Sequence, residues 1–170
     1  MRHEANGSEA GGPKITADWS VAAVTDERLH QLHTHWLALC GGRRMPSRGE
    51  FDPVHVPRPL LPHINLVDVM DPLDFRFRLV GTHWHDFVGQ EVRGKLIGEV
   101  FPPGFCAEVR EHWGDAVAQT APKSGRGPLW IDERDYIRWQ GVVLPLSAAG
   151  GNTVMALLVG AVFLRGNEAS

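Results

Sequence analysis

Residues 75–82 read Phe75-Arg-Phe-Arg-Leu-Val-Gly-Thr82. Phe75, Phe77 and Leu79 alternate with Arg76 and Arg78, the period-two pattern of a strand with one buried face and one wet face. The run stops at Gly81-Thr82, where a helix can start. Just upstream, Ile64 to Met70 is a second apolar run. Asp71-Pro-Leu-Asp74 between them supplies turn residues, so the two runs form a hairpin.

Downstream, His83 to Val88 reads as a short helix closed by Gly89, and Lys95 to Phe101 as a further helical turn closed by Pro102-Pro103. A long helix runs from about Phe105 to Thr120, with Phe105, Val109, Trp113, Ala116 and Val117 on its buried stripe. Ala121-Pro122 ends it. Three strands follow: Gly127 to Ile131, Tyr136 to Leu146 and Asn152 to Leu164. Asp132 to Asp135 is a charged turn, and Ser147 to Gly151 is a loose hairpin. The last strand is apolar on both faces, which suits a central position.

Upstream of the hairpin, Thr25 is placed to cap a helix whose Leu29, Leu32, Trp36, Leu37 and Cys40 recur at helical spacing. Gly41-Gly42 ends it. Between Arg43 and Pro62, prolines at 46, 53, 57, 59 and 62 forbid a long helix or a central strand. An irregular cap with one helical turn near Pro53 is expected. Residues 1–24 read as a disordered leader, 25–62 as the N-terminal helix and Pro-rich cap, 63–165 as the core, and 166–170 as a tail.

The chain has 170 residues, 43% hydrophobic and 22% charged, values that fit one ordinary globular domain. Lys and Arg total 17 against 20 Asp and Glu, a net charge of −3. That gives no basic face for nucleic acid, and the short basic spots at Arg43-Arg44 and Lys123 to Arg126 read as solvated loops. Cys40 and Cys106 are too few for a disulfide framework or a four-ligand zinc site. No signal core is present, and the apolar run Val154 to Leu164 is too short to cross a bilayer as a helix. A soluble, cytoplasmic protein is expected.

The element order resembles the PAS fold, an α+β arrangement in which five antiparallel strands form one sheet with helices on one face, here with an added N-terminal helix. Closer in, the run from Leu37 to Phe163 is similar to the largely uncharacterised alphaproteobacterial family PAS_5. The matching pieces are Gly41-Gly-Arg43 with Pro46, Asp52-Pro53, Leu60-Leu-Pro62, Phe75 to Thr82, Gly89, Gly94, Arg134-Asp-Tyr136 and Leu144-Pro-Leu-Ser147. The resemblance implies a sensory or interaction module. It implies no settled ligand and no catalytic residues.

Aromatic-lined concavities take small apolar or planar ligands well. Phe77, Leu79, Trp84, Phe87, Trp113, Tyr136 and Trp139 are the candidates for such a pocket. The same residues could instead fill the core and leave no cavity. Arg76, Arg78, Arg134 and Arg138 are candidates for a docking surface on the sheet face away from the helices, against the plainer reading of charge that keeps a wet face soluble.

The nine histidines invite a metal. His30 and His33 share a helix face, yet no third ligand or zinc motif accompanies them. The favoured reading has no metal. Haem through His83 or His85, on the helix that would border a pocket, is disfavoured, as is a photoactive flavin, whose cysteine is missing from the corresponding helix. His83 and Asp86 have the spacing of a dyad but no tied nucleophile. The expectation is therefore a stand-alone sensory module, not an enzyme. It binds an unknown small molecule, or a signalling partner, or both, and it pairs as a homodimer through helix 25–40. A small α+β enzyme using a His/Asp pair in an apolar cavity and a pure interaction module with a filled core are the alternatives.

Overall fold

The apolar run at the end of the chain organises the molecule. Val154–Arg165 forms β5, the central strand of a five-stranded antiparallel sheet ordered β2-β1-β5-β4-β3. A computed structural model describes residues 24–101, 103–130 and 136–165, with backbone alone for 128–130, 136 and 165. The expected leader up to residue 23, the turn at 132–135 with Arg134, and the tail lie outside the described residues. The remaining strands are β1 (Ile64–Met70), β2 (Asp74–Val80), β3 (Lys123–Trp130) and β4 (Tyr136–Ser147). The helices are α1 (Glu27–Cys40), α2 (Thr82–Val88), α3 (Ile97–Val100) and α4 (Pro103–Gln119). Among the described residues no helix is long and apolar enough to cross a membrane.

Both faces of the sheet are covered. Register places Val142, Leu144, Leu158, Gly160, Ile64 and Leu66 on one face, the outer one. A Cβ at Gly160 would stand 2.6 Å from Leu32 Cδ2 and 3.1 Å from Leu29 Cδ2. Glycine at 160 therefore lets α1 lie directly on the strands. On the other face, Trp139, Gly141, Val143, Val159, Ala161 and Phe163 meet α2 and α4. The stripe Leu29, Leu32, Trp36 and Cys40, expected to serve dimerisation, is thus buried against the chain's own sheet.

Three expectations change. Asp26, not Thr25, caps α1: its Oδ1 accepts from the Arg28 amide at 2.9 Å. The Thr25 hydroxyl accepts from Gln140 Nε2, while the Thr25 and Asp26 amides donate to Gln140 Oε1. A side chain on β4 pins the helix start. Lys123 to Arg126 is not a loop: it opens β3, in register from Lys123↔Val143 to Trp130↔Tyr136. Pairing with β4 overrides weak strand propensity there, and Pro128 is tolerated because β3 is an edge. The Pro-rich segment forms three short 3₁₀ turns, Arg48–Glu50, Pro53–His55 and Arg58–His63, rather than one.

The decisive stretch also holds a bulge. Phe77 pairs with Val67, but Leu79 pairs with Leu66, so Arg78 is an extra residue on β2. An inserted residue reverses the alternation beyond it. Phe75 and Phe77 are fully buried on the inner face, while Leu79 shares the outer face with Leu66. Leu79, expected beside Phe77 in the pocket, is on the opposite side of the sheet.

Candidate functional site

The hollow of the inner face follows from small residues in two facing strands. Gly141 pairs directly with Ala161, flanked on one side by the Trp139↔Phe163 pair and on the other by Val143↔Val159. Large side chains thus surround a floor with almost none. Phe105, Val109 and Trp113 from α4 and Trp84 from α2 form the roof. Rigid rings bridging that floor leave a cavity of about 50 Å³. Among the described residues, no titratable side chain lines it.

Gly81 sets the position of Trp84. A Cβ there would meet the Pro62 carbonyl oxygen at 2.3 Å and the Ile64 carbonyl oxygen at 2.8 Å. The Gly81 amide donates to the Ile64 carbonyl and to Asn65 Oδ1. The close approach turns the chain from β2 straight into α2, so Trp84 comes down over the sheet. Its ring lies 6.2 Å from Phe77 and 5.2 Å from Phe163.

Of the residues singled out in the sequence, Trp84, Trp113 and Trp139 meet at the cavity. Phe77 is one layer behind, edge-on to Trp113 at 6.3 Å. Phe87 is stacked on Phe163 at 4.1 Å, outside the lining. The Tyr136 side chain lies outside the described residues. The sequence reading missed Gly141, Ala161 and Phe163. The signal was available: glycine inside a strand marks a bend or a close approach, and small residues here interrupt two otherwise bulky apolar strands.

The arginines do not form one surface. Arg76 and Arg78 lie on edge strand β2, with Arg78 paired to Asp68 at 2.6 Å. Exposed Arg138 is on β4, three strand spacings or roughly 14 Å away.

The histidines make a second constellation beside the cavity. His63 and His83 touch with ring centroids 4.5 Å apart. Arg28 Nη1 lies 3.1 Å from His63 Nε2, and the Phe163 amide donates to His83 Nε2 at 3.1 Å. Guanidinium and amide groups only donate, so both Nε2 atoms accept and both rings are neutral. Burial lowers both pKa values. For His63 the neighbouring His83 and Arg28 add to the effect, and the Ala161 backbone and Asp26 oppose it; for His83, Arg28 adds and Asp86 opposes.

His83 Nε2 is therefore occupied, and His85 is exposed beside Asp86 at 3.7 Å. That donor set does not fit haem. His83 and Asp86 do not converge in the cavity. His30 Nε2 is bonded to the Val24 carbonyl and His33 is stacked on Trp36, so they do not share an ion. Glu108, Glu111 and His112 bring ligand-type atoms within 4.8 Å of one another on α4, a common arrangement for surface acids.

Residues 24–159 of the 170 match the PAS_5 family, described as a PAS domain. This chain belongs to the PAS domain family. PAS domains are in general sensory and signalling modules rather than catalysts, and the family match takes in α1 as well as β1 to β4 and the first half of β5. No curated protein and no solved structure matched the chain.

Proposed function

We propose that this PAS domain senses a small molecule held between the inner sheet face and helices α2 and α4. The half-open apolar cleft over Gly141 and Ala161 carries the reading, because concave sites lined mainly by apolar and aromatic side chains are where small molecules ordinarily bind. Trp84, Trp113 and Trp139 are its contact residues. The lining, apolar and without a titratable side chain among the described residues, supports binding over catalysis and disfavours the enzyme reading.

The same strands that floor the cavity carry α1 on their other side. Val142 reaches both the cavity and the niche beneath α1 that Leu29 and His33 line. One strand thickness separates ligand from helix. A ligand that binds one strand geometry better than another shifts the seat of α1 by that difference in affinity. With its apolar stripe facing inward, α1 offers a partner its outer side, where Leu37 is 50% exposed. That surface would meet a signalling protein or a second copy of the chain.

Native mass spectrometry of the purified protein and a melting-temperature screen against small neutral compounds test this. A ligand at a hundredfold excess over its Kd stabilises by about 2.7 kcal/mol, a rise of roughly 5–10 °C for a chain of this length. No retained mass and no shifted melting across the screen would favour an interaction module with a filled core.

A further inference from the structure

We infer that the half-open cleft receives the unbranched aliphatic chain of a single-chain amphiphile and leaves its polar end in water, whatever the charge of that end. This rests on the reading of the cleft as a binding site and names the class of ligand it takes.

The class follows from what the walls present. Val143, Val159, Ala161 and Phe163 from the sheet and Val109 and Trp113 from α4 meet the space with carbon, and the described residues show it almost no polar surface. Trp84 contributes ring carbons, its indole nitrogen being buried away from the space. A polar or charged group drawn inside would lose its water and gain no partner. The cleft is half open, however, so a molecule with a polar end need not bring that end in. The floor sets the shape. A Cβ at Gly141 would stand 3.3 Å from Trp139 Cζ3, so the Trp139 ring leans over β4 and the hollow lies over Ala161 on β5. Val159 and Phe163 flank Ala161 along that strand. A trough one strand wide, about 4.8 Å, suits one extended alkyl chain and not two side by side. With only carbon to touch, affinity follows the length of chain buried. No lining side chain among the described residues reads the polar end.

Calorimetric titration of n-butanol, n-hexanol and n-octanol, and of octylammonium and octanoate at neutral pH, into the purified protein tests this. Affinity is expected to rise about fourfold for each added methylene along the alcohols. The three octyl compounds are expected to agree within about tenfold, since charges left in salt water are screened. In Ala161→Val the added methyl groups take the room of about two chain carbons, and the affinity for n-octanol is expected to fall roughly tenfold. The wild-type series stands alone if the variant does not fold. An affinity that stays flat from butanol to octanol overturns the aliphatic-chain class while the binding site stands. So does one that changes more than about tenfold with the charge of the polar end. If nothing binds, or if Ala161→Val leaves the n-octanol affinity unchanged, the site itself fails, and the inference with it.

Discussion

The two faces of the sheet use small residues to opposite ends. On the outer face, Gly160 is filled by a neighbour: Leu29 and Leu32 of α1 press into the space its missing side chain leaves. On the inner face, the Trp139 ring leans over Gly141, where an added Cβ would stand 3.3 Å from its Cζ3, and the hollow remains toward Ala161, because the residues above it are tryptophans and phenylalanines held in place by other contacts. Aliphatic side chains settle into a groove, whereas large planar rings wedged against one another bridge it. Consecutive residues of one strand, 160 and 161, thus belong to a sealed interface and to an open hollow. In the proposed reading, the tightly packed face would make α1 a rigid reporter, and the open face would leave the strands free to respond.

The largest expected effect is on the sealed face. Trp36 is 2% exposed, and its Nε1 donates to the Pro145 carbonyl at 2.9 Å, beyond the point where β3 stops pairing with β4. Trp36→Ala is expected to cost about 3–5 kcal/mol in chemical denaturation. A loss under about 1 kcal/mol would mean that α1 is only loosely seated. Gly160→Ala comes next. The added methyl overlaps Leu32, and a loss of about 1–3 kcal/mol is expected. The neighbouring Ala161→Val has the opposite sign. Its methyls enter the hollow, stabilising by about 1 kcal/mol and reducing ligand binding. If 160 and 161 respond alike, the contrast between the faces is wrong.

How much of this could be read from the chain depends on how local the cause is. The hairpin, the break at Gly81 and the amphipathic stripes of α1 and α4 were legible, because alternation and helical spacing are properties of neighbours. The bulge at Arg78 was not. Phe77-Arg-Leu79 alternates perfectly on paper, and only pairing with β1 shows that Leu79 changes sides. The α1 cap moved because Gln140, 115 residues away in the chain, takes the Thr25 hydroxyl. The stripe of α1 announced burial but not what buries it, so a dimer seam and a cap over the chain's own sheet looked identical. Of the candidate site, the three tryptophans were legible from their elements. The floor was not, since a hollow between Gly141 and Ala161 exists only once β4 and β5 are in register.

The smallest expected effect tests the seam that joins the faces. Arg28 lies on α1, His63 precedes β1, His83 is on α2, and Phe163 is on β5, so this cluster ties the sealed side to the hollow side. Both rings accept through Nε2, and a proton on either Nε2 ends the bond it makes. Folding holds both pKa values below the ordinary histidine value of 6.5, chiefly by burial. The unfolded chain therefore binds more protons than the folded one as pH falls below about 6.5. Stability is complete above that value and declines below it until the folded rings also titrate, by at most about 1.4 kcal/mol per pH unit for each ring. In His83→Gln the amide oxygen can still accept from the Phe163 amide but does not titrate. Its stability should fall less steeply on acidification than that of the wild type, by up to one proton's worth of slope. His33 and His35, also lowered by burial, contribute equally to both proteins and cancel in the difference. Equal slopes in the two proteins would show that His83 keeps its ordinary pKa in the fold, and the seam would then be a packing contact without a titrating bond.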